Sequence, residues 1–251
     1  MPELNTPSLV ALLAAIAGVA FLYSSVGHGR ATGYLAVAAI LGIGPTVARP
    51  GALWVNCVVA SIAAWRFSRT GHFDWRVFLP LALASIPCAW LGGRLHLEGR
   101  GYAVALGGTL LAAGWILGWG RRQPVDPPTR PPAWAQGLLA GGGLGFLAGL
   151  TGIGGGVFLT PLAVMLRWCP AKTAGGVSAL FIVVNSVAGL LGLGPGARLA
   201  PGALLTVPAV AAGAALVGTH YGVSCWNIAT FRRALASVLW IAAGKLLLTG
   251  R

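Results

Sequence analysis

Ten apolar runs follow one another along this chain, joined by short connections rich in glycine, proline or basic residues. They cover roughly 8–26, 31–44, 51–67, 76–93, 101–119, 134–150, 156–168, 173–193, 202–221 and 230–248. A helix needs about 20 residues to cross the hydrocarbon core of a bilayer, and most of these runs come close to that. Of the 251 residues, 57% are hydrophobic and 8% charged, with a mean hydropathy of +0.81. A soluble domain carries about 25% charged residues. The chain therefore reads as an all-α polytopic membrane protein. Its first run has Glu3 in its flank and no Lys or Arg before Arg30, so it reads as a retained span and not as a cleaved signal.

Seventeen residues are basic and four acidic, for a net charge of +13. In a soluble protein that imbalance points to nucleic acid. Here the basic residues sit in the connections, where they set orientation and meet headgroups, so the expected partner is the lipid bilayer and no nucleic acid. Taking the runs as alternate crossings, Arg30, Arg66, Arg69, Arg76, Arg121, Arg122, Arg130, Arg167, Lys172, Arg232 and Arg233 fall on one side. Arg49, Arg94, Arg100, Arg198, Lys245 and Arg251 fall on the other. The richer side should be cytoplasmic, which places the hydrophilic stretch RRQPVDPPTRPP inside and both termini outside. Cys57, Cys88, Cys169 and Cys225 are dispersed without metal-ligand spacing and read as small apolar fillers. Neither a metal nor a cofactor is expected.

The two sides of that hydrophilic stretch resemble each other at an offset of 125 residues. Phe21-Leu22 falls on Phe146-Leu147, Gly27 and Gly29 on Gly152 and Gly154, Pro45 on Pro170, Ser61 on Ser186, and Trp115 on Trp240. The expected organisation is a first repeat over 1–120, a cytoplasmic linker over 121–133 and a second repeat over 134–251. Each repeat holds five helical pieces, an odd number, so the second should lie inverted relative to the first. Inverted repeats are a transporter architecture.

Each repeat also contains a glycine-rich break between a long run and a short one: SSVGHGRATGY at 24–34 and GLTGIGGGVFL at 149–159. Unwound backbone at membrane depth is tolerated only where it is buried in protein or lines a wet cavity. The short helix after each break begins with free N–H groups and a positive dipole end, which bind anions. Glycine removes the side chain that would hold a ligand away. The bland alternative is close helix packing through small residues, which suits the upstream run LLAGGGLGFLAGL.

His28 and Arg30 sit inside the first break. An ionisable residue within the membrane costs about 2.5–3.5 kcal/mol even on the lenient scale and is a functional candidate by default. Arg30 snorkelling to an interface, and His28 satisfying a carbonyl, are the structural alternatives. Asn56, Ser178, Asn185 and Ser186 follow the short pieces and either line a cavity or pair helices. Arg49 and Lys172 read as interfacial anchors, and His72, His96 and His220 as boundary residues. None of the four acids falls in the middle of a run, whereas a cation pathway or proton pump wants carboxylates. The selected ligand should be an anion. The candidate substrate-binding residues are Gly27, His28, Gly29, Arg30, Asn56, Gly152, Gly154, Gly155, Gly156, Ser178 and Asn185, around a site between the two breaks near the midplane.

The stretch GLTGIGGGVFLTPLAVMLRWCPAKTAGGVSALFIVVNSVAG resembles the second-half signature of the TauE/SafE family of sulfite exporters, and the likeness covers essentially the whole chain. It implies a multi-pass permease of the bacterial inner membrane that moves sulfite, sulfonates or related organosulfur anions, with the family's glycine loops on Gly27–Gly29 and Gly152–Gly156 and Ser178 in the later stretch. The first loop departs from the pattern, reading Gly27-His28-Gly29-Arg30 where more glycine is usual, which bears on the anion preferred. Export would run down the membrane potential, which drives each negative charge outward by about 2.3 kcal/mol per 100 mV. A permease this small is compatible with a homodimer.

Two rival readings are a permease for another small anion and a membrane enzyme acting on a phosphorylated lipid. The enzyme wants an acid–base pair and usually a metal ligand set, which no carboxylates are placed to supply. A purely structural subunit gives no reason for duplicated breaks. Single cysteines placed in 121–132 are expected to react with impermeant maleimide only from the cytoplasmic side; labelling from outside alone would reverse the orientation.

Overall fold

A computed structural model describes residues 30–40, 42, 44–97, 99–119, 129–194, 213 and 228–249. The expected spans at 8–26 and 202–221, most of the linker, and Gly27, His28 and Gly29 lie outside the described residues. Arg30 is the first described residue of a helix, and its side chain is not among those described.

The described elements are all helical: α1 Arg30–Ile40, α2 Pro45–Arg69, α3 Trp75–Arg94, α4 Gly99–Trp119, α5 Trp134–Thr151, α6 Gly156–Met165, α7 Ala171–Leu193 and α8 Ile228–Thr249. Among them Thr46–Arg69, Trp75–Arg94 and Ala171–Leu193 are long and apolar enough to cross a membrane. The outer surface is correspondingly greasy: Leu139, Leu191, Trp115 and Leu248 are all exposed. In water such a surface would aggregate; in lipid it is the expected one. The chain is a polytopic α-helical membrane protein.

Prolines set several boundaries. Gly44 caps α2 and a proline occupies its first turn, where the missing N–H costs nothing. Pro170 caps α7 in the same way. Each proline thus starts the next helix, and α1 stops earlier than the sequence suggests, at Ile40. Asp74 caps α3, its carboxylate accepting from the Arg76 N–H at 2.8 Å.

Two apolar cores flank α6. One gathers Leu35, Leu106, Leu110, Leu239 and Leu246 from α1, α4 and α8, and it receives Ile153 and Val157. The other gathers Leu81, Phe78, Val177 and Phe181 from α3 and α7, and it receives Leu159 and Ala163. Helices α2 and α7 lie antiparallel, Leu53 meeting Gly189 and Phe67 meeting Gly175. Helices α4 and α8 are antiparallel as well, Gly107 lying against Leu247 and Gly118 against Ala236.

The tightest seam joins α3 and α5. Gly137, Gly141, Gly145 and Gly149 recur every fourth residue on one face of α5 and lie against Pro80, Leu81, Ser85 and Ala89. A Cβ at Gly141 would strike the Leu81 carbonyl, and one at Gly149 the Ala89 carbonyl. Gly149 is therefore a packing residue, together with the upstream run. Helix α3 answers with Gly92, whose Cβ would strike the Phe146 carbonyl. Small residues on both faces bring the two backbones together.

Gly141→Ala is expected to destabilise the protein by about 1–3 kcal/mol through overpacking, seen as a lower melting temperature in detergent. Gly143, with nothing within 4 Å of its would-be Cβ, is the control: Gly143→Ala should be neutral or gain up to about 1 kcal/mol from helix propensity.

Candidate functional site

Helix α5 ends at Thr151 and α6 begins at Gly156, and the backbone between them is left-handed at three positions: Gly152 (φ 84°), Gly154 (φ 79°) and Gly155 (φ 74°). Side chains on L-residues rarely adopt such angles, so the glycine run is dictated first by conformation. Gly155 caps α6 through its carbonyl, which accepts from Phe158 and Leu159 N–H, both at 3.2 Å. No side chain caps this end. The N–H groups of Gly156 and Val157, ahead of Phe158 and Leu159, have no acceptor within the helix and stand at its positive dipole end.

The carbonyls on the other side of the break are individually served. Arg49 donates from Nε and Nη2 to the Gly149 carbonyl, at 3.0 and 2.6 Å. The same guanidinium reaches the carbonyls of Gly92 (2.7 Å), Gly93 (3.0 Å) and Leu95 (3.0 Å) at the end of α3. Tyr102 Oη donates to the Thr151 carbonyl at 3.1 Å. Asn56 Nδ2 reaches the Gly152 carbonyl at 3.4 Å. Thr151 Oγ1 bonds back to the Leu147 carbonyl at 2.6 Å and accepts from the Ile153 N–H at 3.4 Å.

Arg49 corrects the expectation of an interfacial anchor: it is 3% exposed. Its charge meets the carbonyl ends of α3 and α5, where the helix dipoles are negative, and none of its hydrogen-bond partners among the described residues is a carboxylate. Only its place within the helix, not its inward direction, was available from the sequence. Starting α2 at Pro45, a favoured first helical position, puts Arg49 within the helix; starting it at 51 left Arg49 outside. Lys172, in the first turn of α7, is exposed.

The expected residues of the second break do converge. A Cβ on Gly154 would lie 2.9 Å from Asn56 Nδ2, 3.0 Å from Ile182 and 3.5 Å from Ser186 Oγ. Asn56, Asn185 and Ser186 are all buried. Gly156 faces Ile182 and the Ser178 carbonyl, one turn further along α6. There Ser178 Oγ is 2.8 Å from Thr160 Oγ1, so the predicted Ser178 already has a partner that the sequence reading missed. Gly155 faces Phe181, the Leu144 carbonyl and Ala148, which is packing. Gly152 faces the stem of Arg49. Of the four glycines, Gly154 is the one that looks onto side-chain polar groups. Ser186 is seven residues from the end of α7, about 10 Å at 1.5 Å per residue. The helix centre, Ile182, is only four residues away, so the cluster lies nearer the middle of that helix than its end.

The whole arrangement falls within a family match. The TauE/SafE sulfite exporter model matches residues 10–246. The chain belongs to the TauE/SafE family. It is 33% identical over 238 residues, 92% of this chain and 94% of the relative, to a probable membrane transporter protein of Sinorhizobium fredii. It is 27% identical over 142 residues, 55% of this chain and 52% of the relative, to a probable membrane transporter protein of Methanocaldococcus jannaschii. No solved structure matches it. This TauE/SafE chain is a membrane transporter and not an enzyme, which sets aside the lipid-processing reading.

Arg49→Met is expected to lower stability by at least about 3 kcal/mol, because several buried carbonyls lose their donor at about 1–3 kcal/mol each. Arg49→Lys should recover only part, since an ammonium lacks the rigid fork. Melting curves of the purified variants in detergent check both.

Proposed function

We propose that this protein is a permease for sulfite or small organosulfur anions of the bacterial inner membrane, and that the anion binds where α6 begins. The observation that carries this reading is the break itself. Left-handed glycines turn an uncapped helix N-terminus toward a buried polar cluster whose Ser186 hydroxyl has no hydrogen-bond partner among the described residues. Free N–H groups, a positive dipole end and a spare hydroxyl favour negative charge.

The proposed architecture is a pair of inverted repeats, 1–120 and 134–251, joined by a cytoplasmic linker. Three features support it. At the 125-residue offset α1 falls on α6, α2 on α7 and α4 on α8, and the starts of α2 and α7, Pro45 and Ala171, agree to within one residue. The pairs α2/α7 and α4/α8 each pack antiparallel. The rich side of the charge count gathers at one end: the Arg130 N–H bonds the Arg167 carbonyl, and Gly176, in the second turn of α7, packs on the His72 carbonyl of the α2–α3 turn. The first break, with Gly27, His28, Gly29 and Arg30, would then supply the matching half of the site. Transport outward follows from the membrane potential acting on an anion, with no carboxylate relay required.

Asn56, Gly152, Gly154 and Ser186 are the proposed contacts, with Gly155, Gly156, Ser178 and Asn185 shaping the wall. Gly154 itself makes a poor probe, because φ 79° strains any side chain and lowers stability along with binding. Ser186→Ala separates the two. Deleting a buried hydroxyl that lacks a partner should leave the melting temperature unchanged or raised. It should weaken sulfite affinity about 10-fold, measured by flux into proteoliposomes and by binding in detergent. Native affinity in Ser186→Ala would place the site elsewhere.

A further inference from the structure

Two buried polar atoms beside the break meet no hydrogen-bond partner among the described residues: Ser186 Oγ and Asn185 Oδ1. Both residues are 0% exposed. A serine hydroxyl donates or accepts, so Ser186 serves an anion as it stands. Asn185 is different. Its Nδ2 donates to the Phe181 carbonyl at 2.8 Å. A carbonyl only accepts, so the amide cannot be turned end for end, and Oδ1 stands as a fixed acceptor.

Asn185 lies on the part of α7 that packs at the break. Its helical neighbours at three and four residues' distance include Phe181, Ile182 and Gly189. Phe181 lies against Gly155, Ile182 against Gly154 and Gly156, and Gly189 against Gly149. Two surrounding positions therefore press on the break and the third on the end of α5, and Asn185 sits among them.

A lone acceptor beside an anion repels it, unless the anion brings a hydrogen of its own. We propose that the transported species is a monoanion bearing its own hydrogen-bond donor, as singly protonated oxyanions do. Its charged oxygens face the α6 N-terminus and Ser186 Oγ, and its donor meets Asn185 Oδ1. This rests on the anion-permease reading and narrows it. It also accounts for a chain with four acids, none in the middle of a span. The proton travels on the substrate, and the protein needs no carboxylate to carry it.

Sulfamate and methanesulfonate test this directly. They share one negative charge and nearly one shape, and differ in an amino group against a methyl. The full-length protein in detergent is expected to bind sulfamate about tenfold or more tighter, because methanesulfonate leaves a buried acceptor unpaired. Asn185→Ala, which removes that acceptor, should bring the two affinities within about twofold of each other. Equal binding of the two anions by the unaltered protein would overturn the proposal, and that comparison needs no variant to fold. An undiminished preference for sulfamate in Asn185→Ala would overturn it too, by placing the acceptor elsewhere. Binding of sulfite with no discrimination between the other two sinks this inference alone; binding of none of the three sinks the anion reading with it.

Discussion

A helix interrupted inside a bilayer leaves carbonyl and N–H groups that lipid cannot satisfy, and the rest of this structure is arranged around that debt at residues 152–155. The carbonyl side is answered by protein: Arg49 on Gly149, Tyr102 on Thr151, Asn56 on Gly152. The N–H side carries no side-chain cap. That asymmetry gives the break its polarity. Arg49 is central because one guanidinium also holds Gly92, Gly93 and Leu95. It ties α2, the end of α3 and the end of α5 to a single point. A buried charge is costly unless it is well hydrogen-bonded, and here the bonds come from helix ends already bearing partial negative charge.

Glycine does two separate jobs within twenty residues. From Gly137 to Gly149 it is spaced by four and lets one helix lie on another. From Gly152 to Gly155 it is spaced irregularly and takes positive φ. Spacing alone separates the two: a period of four keeps to one helix face, whereas a cluster without period cannot be a packing stripe. The break then hangs between two cores, Ile153 and Val157 turning into one, Leu159 and Ala163 into the other.

Helix positions were legible because apolar runs in a membrane chain leave few alternatives. The expected 134–150 became Trp134–Thr151, 173–193 became Ala171–Leu193, and the short piece at 156–168 became Gly156–Met165. The break at 152–156 was legible for the same reason, and its meeting with Asn56 across 96 residues of sequence followed from reading the polar residues on the runs after the short pieces. Arg49 was not. A basic residue beside a proline at a helix start looks the same whether it points to headgroups or turns inward, and only the neighbouring α3 and α5 ends decide. The partner of Ser178, Thr160, was not legible either, because it is set by how α6 lies on α7, which no local pattern encodes.

The seam between α3 and α5 has a mechanical meaning. Most helix pairs touch through side chains, which can change rotamer and let one helix slide past the other. Here Gly141, Gly145 and Gly149 rest on backbone atoms of Leu81, Ser85 and Ala89, and backbone has no rotamers. Sliding would have to lift one main chain over another, so the pair forms a stiff plate that carries the break at its edge. Helix α7 joins the plate in the same way, Gly93 lying against the Gly189 carbonyl and Gly192 against the Trp90 carbonyl, whereas flexible side chains fill the α2–α7 and α4–α8 seams, where Leu53, Phe67, Trp240 and Leu247 lie opposite Gly189, Gly175, Gly114 and Gly107. The plate is thus the rigid frame of the fold, and the cushioned seams are the places where one helix can shift against another.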